Sequence, residues 1–507
     1  MKHLLILPLL VPLTAGAILV IAARAPLALR RSLSLVAMAI LLAVSLQLFW
    51  LAQAGGIEVY LTGDWPAPFG IVFVLDRLAA LMVMMTAILA SGALAYALLG
   101  TDRAGPGFHA LFQFQLLGLN GAFLTGDLFN LFVFFEIMLI SSYGLLLHGG
   151  GRLRTRAGLH YVVLNLIGSS LFLIAIGILY GVTGTLNMAD LGRAMASLAP
   201  QDVALAKTGA LLLLSVFALK AAVLPLHFWL PHAYGTASGP VAALFAVMTK
   251  VGVYGIVRVF TLLGHDGSAI TGVATPWLAG ASLLTLAAGT FGAMASRDLR
   301  RKVAYLVMVS VGTLLVAVSL GSRAGLTGAF FYLVHTTLVT AAFFLLADLI
   351  AQGRPEGSRI LWGERPIGSA PLAVLFFVAA IAVIGMPPLS GLVGKVLILK
   401  ASTGLAWTGW IWTALLLSGF LLLVSLTRAG SDLFWRGGVS SHRLAPGWIP
   451  IAPAALLLST SPLLVLFGGP MTEYAQATAE QIADTGRYID AVLGWEPASS
   501  KIPREAP

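Results

Sequence analysis

No cysteine occurs anywhere in this sequence, which excludes disulfide staples, thiolate metal centres and cysteine-ligated clusters. Charge is almost as scarce. Asp, Glu, Lys and Arg make up 10% of the 507 residues, against about 25% in an ordinary soluble chain, so water is not the main solvent for these side chains. Also absent are a GxxxxGK[ST] phosphate loop, a GxGxxG turn after a strand, a Ser-His-Asp motif and a metal-ligand cluster. Chemistry powered by nucleotide or done by this chain alone therefore has no support. A net charge of +10 would suit nucleic acid, but no dense basic patch interleaved with aromatics is present, and none is expected as a partner.

What is present is apolar: 59% of the chain is hydrophobic. In hydrocarbon every backbone polar group needs an internal partner, which leaves helices or a closed barrel. A barrel would alternate apolar and polar residues over segments of about ten, whereas 78–99 and 211–224 are nearly unbroken apolar runs. The chain is predicted to be an all-α membrane protein with about fourteen transmembrane helices. The expected spans are 3–23, 32–53, 71–99, 107–124, 129–148, 158–182, 205–225, 240–262, 272–295, 302–319, 326–350, 371–403, 409–427 and 448–468. The first resembles a signal peptide, but a second apolar run follows Arg30 and Arg31 at once, so it is read as a span.

Counting Lys and Arg in alternate loops tests this set. One side carries Arg24, Arg30, Arg31, Arg103, Arg152, Arg154, Arg156, Arg297, Arg300, Arg301, Lys302, Arg354, Arg359, Arg365, Arg428, Arg436 and Arg443; the other has little beyond Arg193, Lys207 and Arg323. By the positive-inside rule the first side is cytoplasmic and both termini face outward, in a multi-pass protein of the cell membrane. The stretch 471–493 reads as a short surface helix. Asp76 and Arg77 read as a structural pair, and Asp127 with Asn130 as a helix cap.

Four charges stand inside expected spans: Glu136 in LFVFFEIMLI, Lys220 in SVFALKAAVLP, Lys250 in AVMTKVGVYG and Lys395 in SGLVGKVLILK. Each looks well inside its helix, and a charge there costs roughly 2.5–3.5 kcal/mol on insertion scales. For a single lysine, snorkelling or a buried ion pair is explanation enough, as for Lys400 near a span end. A carboxylate and three lysines on four helices instead suggest proton relay sites, with a moving Glu136–Lys220 contact able to load and unload protons. His335, beside Thr336, Thr337 and Thr340, is a candidate connecting residue, although a lone buried histidine is often a packing residue. His227 and His232 either guard proton entry or anchor the chain at the interface.

Lys220 precedes Pro225, and Lys395 follows Pro387 and Pro388. Proline leaves a carbonyl one turn back unpaired, which only protein or a hydrated cavity satisfies in a membrane. The two breaks fall in spans seven and twelve, five apart, so spans 4–8 and 9–13 form two repeats of opposite topology, as in transporters with broken helices. Simple kinking of packed helices is the plainer alternative. The expected divisions are 1–99, an N-terminal three-helix segment; 107–262 and 272–427, the two repeats; and 428–507, the last span and tail.

These residues resemble the antiporter-like membrane subunits shared by Mrp-type multisubunit cation/proton antiporters, respiratory complex I and membrane-bound hydrogenases. TGDLFNLFVFFEIMLISSY, LKAAVLPLHFWLPHAY and PPLSGLVGK carry the likeness, which covers nearly the whole chain and is nearest to the D-type subunits of Mrp antiporters. The tenth span departs from the common Ser-rich pattern, with Ser310 as its main polar group. The resemblance implies relay roles for Glu136, Lys220, Lys250, His335 and Lys395, no redox cofactor, companion membrane subunits, and exchange of H+ for Na+ or K+. Two alternatives stand beside this reading: a proton-pumping subunit of a complex I-like or hydrogenase-type redox complex, and a non-conducting assembly subunit.

Overall fold

The computed structural model describes residues 2–354, 357–360, 369–435 and 447–494; Arg365, Arg436 and Arg443 of the charge count lie outside them. The apolar runs become helices: α1 (Leu7–Ile21), α2 (Leu27–Gln53), α3 (Arg77–Ala97), α4 (Phe108–Leu124), α5 (Leu128–Leu147), α6 (Arg152–Thr183), α7 (Met188–Ala196) and α8 (Val203–Lys220). There follow α9 (Trp229–Thr236), α10 (Gly239–Phe245), α11 (Met248–Leu263), α12 (Thr275–Ala295), α13 (Leu299–Ser319) and α14 (Arg323–Gln352). The last are α15 (Ala370–Ile384), α16 (Ser390–Ala401), α17 (Thr408–Phe434), α18 (Trp448–Leu466), α19 (Gly468–Ala483) and α20 (Thr485–Leu493). Among the described residues, twelve helical stretches are long and apolar enough to cross a membrane, α10 and α11 counting as one.

Burial sorts them into an axis and a rim. The best apolar windows of α10–α11 and α14 are 100% buried, whereas those of α6 and α12 are 39% and those of α17 and α18 are 33%. The rim helices turn Leu166, Ile174, Leu284, Leu416 and Phe420 outward, an apolar surface that lipid accepts and water does not. Pairs α4–α5, α6–α8, α12–α13 and α14–α16 pack side by side. The intramembrane lysines and His335 therefore sit on or against the axis.

Four expectations are corrected. Residues 72–75 are not helical: they form a strand, β2 (Val72–Leu75), antiparallel to β1 (Glu58–Leu61), and Asp76 starts α3 by accepting from the Ala79 amide at 2.8 Å. Asp76 pairs not with Arg77 but with Arg258 of α11, at 2.6 Å; Arg77 donates to the Gln53 carbonyl. The tail is two helices, docked rather than lying free on the surface. Tyr474 donates to the Arg77 carbonyl at 2.8 Å, and Tyr474, Ile482, Tyr488 and Val492 are buried, which places its apolar stripe against the bundle. Lys302, counted among the loop charges, is buried in α13, where its ammonium meets the Ala293 carbonyl and Ser425 Oγ. The Asp127 cap is as expected, accepting from the Asn130 amide at 2.8 Å.

Candidate functional site

Lys220 is the last residue of α8, not a mid-helix residue. With Pro225 ahead the helix cannot continue; Ala222 turns into the left-handed region at φ 57°, and the chain runs irregularly to α9. The exposed backbone groups are met by neighbours. Trp229 Nε1 donates to the Leu219 carbonyl at 3.1 Å, and the Leu224 amide donates to Thr285 Oγ1 at 2.9 Å. The break is thus satisfied by protein, as the dry interior demands. Gly252 of α11 passes so close that a Cβ there would lie 2.6 Å from the Ala221 amide nitrogen, and this contact brings the helix of Lys250 against the helix end of Lys220.

Lys220 is buried and donates to Asn165 Oδ1 of α6 at 3.2 Å. One turn on, Ser169 Oγ meets Glu136 Oε1 of α5 and lies 3.0 Å from the Asn165 carbonyl, its single proton serving one acceptor at a time. Glu136 and Lys220 are therefore joined through two polar side chains on one face of α6. No direct ion pair between them is formed among the described residues. Fully buried Lys250, three residues into α11, donates to Ser310 Oγ of α13 at 2.8 Å. Ser310, the main polar group of the tenth span, is thus the partner of Lys250.

Beyond Ser310 the polar residues continue on the axis. Thr313, Tyr332 and Thr336 are buried here, and the ring of Tyr332 lies 5.6 Å from that of His335. His335 Nδ1 is 2.7 Å from Ser390 Oγ, the first residue of α16, which in turn is 2.9 Å from Ser461 Oγ of α18. At the second break, Gly385 has φ 82°, a conformation costly for other residues. The carbonyl of Ile384, freed there, accepts from Lys395 Nζ at 2.6 Å. Lys395 is buried and Lys400 exposed. His227 precedes α9 and His232 lies within it.

Of the five expected residues, the structure links Glu136 to Lys220 by way of α6, sets Lys250 on Ser310, His335 on Ser390, and Lys395 on the Ile384 carbonyl. It adds Asn165 and Ser169, visible in hindsight as an i, i+4 polar pair in an otherwise apolar span. The criterion that singled out the lysines also applies to Arg258 and Asp348, both buried in helices and both overlooked. Asp348 accepts from Tyr96 Oη at 2.8 Å, Gln352 Nε2 at 2.7 Å and the Gly239 amide at 3.2 Å, and pairs with Arg300. Among the described residues no three His, Asp or Glu gather as a metal site.

Residues 125–422 match the family described as NADH:quinone oxidoreductase/Mrp antiporter, TM. The chain is 42% identical to a Rhizobium meliloti (strain 1021) protein named as the probable D-type subunit of a K(+)/H(+) antiporter, over 99% of both chains. It is 39% identical to the D-type subunit of the Na(+)/H(+) antiporter of Bacillus subtilis (strain 168), over 97% of this chain and 100% of that one. It also superposes on a chain of the Mrp complex from Dietzia sp. DQ12-45-1b with TM-score 0.86 and 28% identity, covering 97% of this chain and 99% of the other.

Proposed function

This chain belongs to the NADH:quinone oxidoreductase/Mrp antiporter family of membrane subunits, and we propose that it is the proton-translocating subunit of a multisubunit Na+ or K+/H+ antiporter. The observation that carries the proposal is the series of polar groups running from half-buried Glu136 through buried Asn165, Lys220, Lys250, Ser310 and His335 to Lys395. Charged and hydroxylic side chains are expensive in a membrane interior and are retained where ions or protons pass. In this reading Glu136 and Lys220 exchange a proton through rearrangement of Asn165 and Ser169, Lys250 and His335 connect the halves, and Lys395 is the terminal site.

The same proposal counts α4 and the broken pair α15–α16 with the other long helices as fourteen crossings. It assigns 107–262 and 272–427 to two inverted repeats, between 1–99 and 428–507, and places both termini on the outer face. Companion subunits supply the remainder of the cation path, in keeping with the lack of an acidic cluster for Na+ or K+ among the described residues.

The test is cation/proton exchange in vesicles holding the assembled complex. Glu136→Ala and Lys220→Ala are each expected to abolish exchange and leave assembly intact; exchange at the wild-type rate by both would remove the relay assignment. Full antiport by the purified subunit alone would overturn the multisubunit reading.

A further inference from the structure

At the end of the bundle where α6 begins and α12 gives way to α13 lies a cavity of about 1130 Å³. Arg152, Arg154, Arg297, Arg300, Arg301 and Arg359 line it, and Asp298 is the acidic residue among its walls. That carboxylate is already used: Oδ1 accepts from the Arg301 amide at 3.0 Å and Oδ2 from Ser358 Oγ at 2.6 Å. So many guanidinium groups around one space repel one another unless an anion enters.

Many of the donors are unspent. Arg154 gives Nε to the Thr236 carbonyl and an NH to the His148 carbonyl, and Arg300 gives one nitrogen to Asp348, but Arg300 Nε is buried without a partner. Arg152, Arg297, Arg301 and Arg359 are exposed and meet no carboxylate among the described residues. All six are arginine, whose planar fork matches a phosphate in two parallel hydrogen bonds. The 32-residue α6 also opens here, at Gly151, with no side-chain cap, so its first amides add to the positive field.

One wall is apolar. Leu153 lines the cavity and is 71% exposed, and Phe291, next to the lining Gly292, is 60% exposed. A soluble phosphate has no use for such residues, whereas a lipid lays its chains along them. We propose that this cavity is a binding site for the headgroup of an anionic phospholipid carrying two phosphates, the kind of basic pocket between helices that such lipids occupy. Its occupant would sit beside the first broken helix. Arg154 holds the Thr236 carbonyl that ends α9, and Arg300 holds Asp348, which takes the Gly239 amide that begins α10. The inference does not depend on the relay assignment.

The experiment uses the assembled complex, equilibrated with phosphatidylcholine vesicles containing diphosphatidylglycerol, washed into neutral detergent and examined by native mass spectrometry for retained lipid. Wild type should retain diphosphatidylglycerol. The double variant Arg297→Gln/Arg301→Gln, which changes two exposed side chains, should retain it about thirtyfold more weakly, two charges at roughly 1 kcal/mol each. Lys400→Gln, removing a charge elsewhere, should match wild type. Equal retention by the double variant overturns the site. Displacement of the lipid by inorganic pyrophosphate at equal concentration would show a soluble-anion site instead, and loss of a companion subunit with lipid unchanged would show a protein interface; either result overturns the proposal. Exchange by the same vesicles, with Glu136→Ala as the inactive reference, reports on the relay separately.

Discussion

Lys395 donates to the carbonyl of Ile384 at 2.6 Å, so the lysine of the second broken helix itself satisfies the backbone group that the break sets free. At the first break the corresponding service falls to Trp229 on the Leu219 carbonyl, and Lys220 is left to Asn165. The two lysines thus rest on different acceptors, one backbone and one side chain. A charge held by a neutral carbonyl is stabilised without being fixed by a counter-ion, which fits the relay role proposed for Lys395.

Lys395→Arg should lower proton flux in everted vesicles by roughly two orders of magnitude, because a guanidinium keeps its proton at any physiological pH. Lys400→Arg, at an exposed position, should be nearly silent. Equal activity of the two variants would make Lys395 a structural charge.

Asn165→Ala removes the acceptor of Lys220 while leaving both Glu136 and Lys220 in place. A hydrogen bond to a charged group is worth about 1.5–3 kcal/mol, so exchange should slow by roughly tenfold to a hundredfold. Ser169→Ala should slow it as well, by breaking the link to Glu136. Unchanged rates in both would show that the path does not run along α6.

Asp76 and Arg258 form a buried pair, with the rings of Tyr254 and Tyr488 5.5 and 5.3 Å from the guanidinium carbon. Removing either charge alone should destabilise the complex by roughly 3–5 kcal/mol, since the other is left uncompensated; the double change Asp76→Leu/Arg258→Met should cost less than either single one. Thermal unfolding of the three variants measures this, and simple additivity would mean the charges do not act as a pair.

Asp102 lies in the turn between α3 and α4, accepting from Arg31 Nε at 2.6 Å and from a second Arg31 nitrogen at 2.7 Å. Burial pushes its pKa up, but the hydrogen bonds and charge of Arg31 outweigh burial and hold it below the usual 3.8. A carboxyl depressed in the folded state adds stability above its unfolded pKa and loses it as pH falls through the folded value. Wild type should therefore lose melting temperature between about pH 4 and lower pH more steeply than Arg31→Gln. Parallel acid profiles would contradict the pairing.

Much of the architecture was open to inspection in one dimension because lipid permits so few backbone solutions. Long apolar runs at helical length, with Pro225 and Pro387–Pro388 interrupting two of them, indicate spanning helices and their breaks without any knowledge of neighbours. The hairpin of β1 and β2 was missed because Val72–Leu75 is as apolar as the helix it precedes, and length alone does not separate a buried strand from a helix start. The docking of α19 and α20 was missed because an amphipathic stripe does not say whether lipid, solvent or protein covers it.

Composition and pattern by themselves determined that the chain lives in a membrane, where its helices break, and that Glu136, Lys220, Lys250, His335 and Lys395 carry groups with no cheap reason to be there. Which groups meet was decided only by the folded bundle. Asp76 finds Arg258 across 182 residues of chain, Lys250 finds Ser310 across 60, and Glu136 reaches Lys220 by way of α6. Local spacing constrains only neighbours within a turn or two of helix; the partner of a buried charge is set by which helix faces pack together.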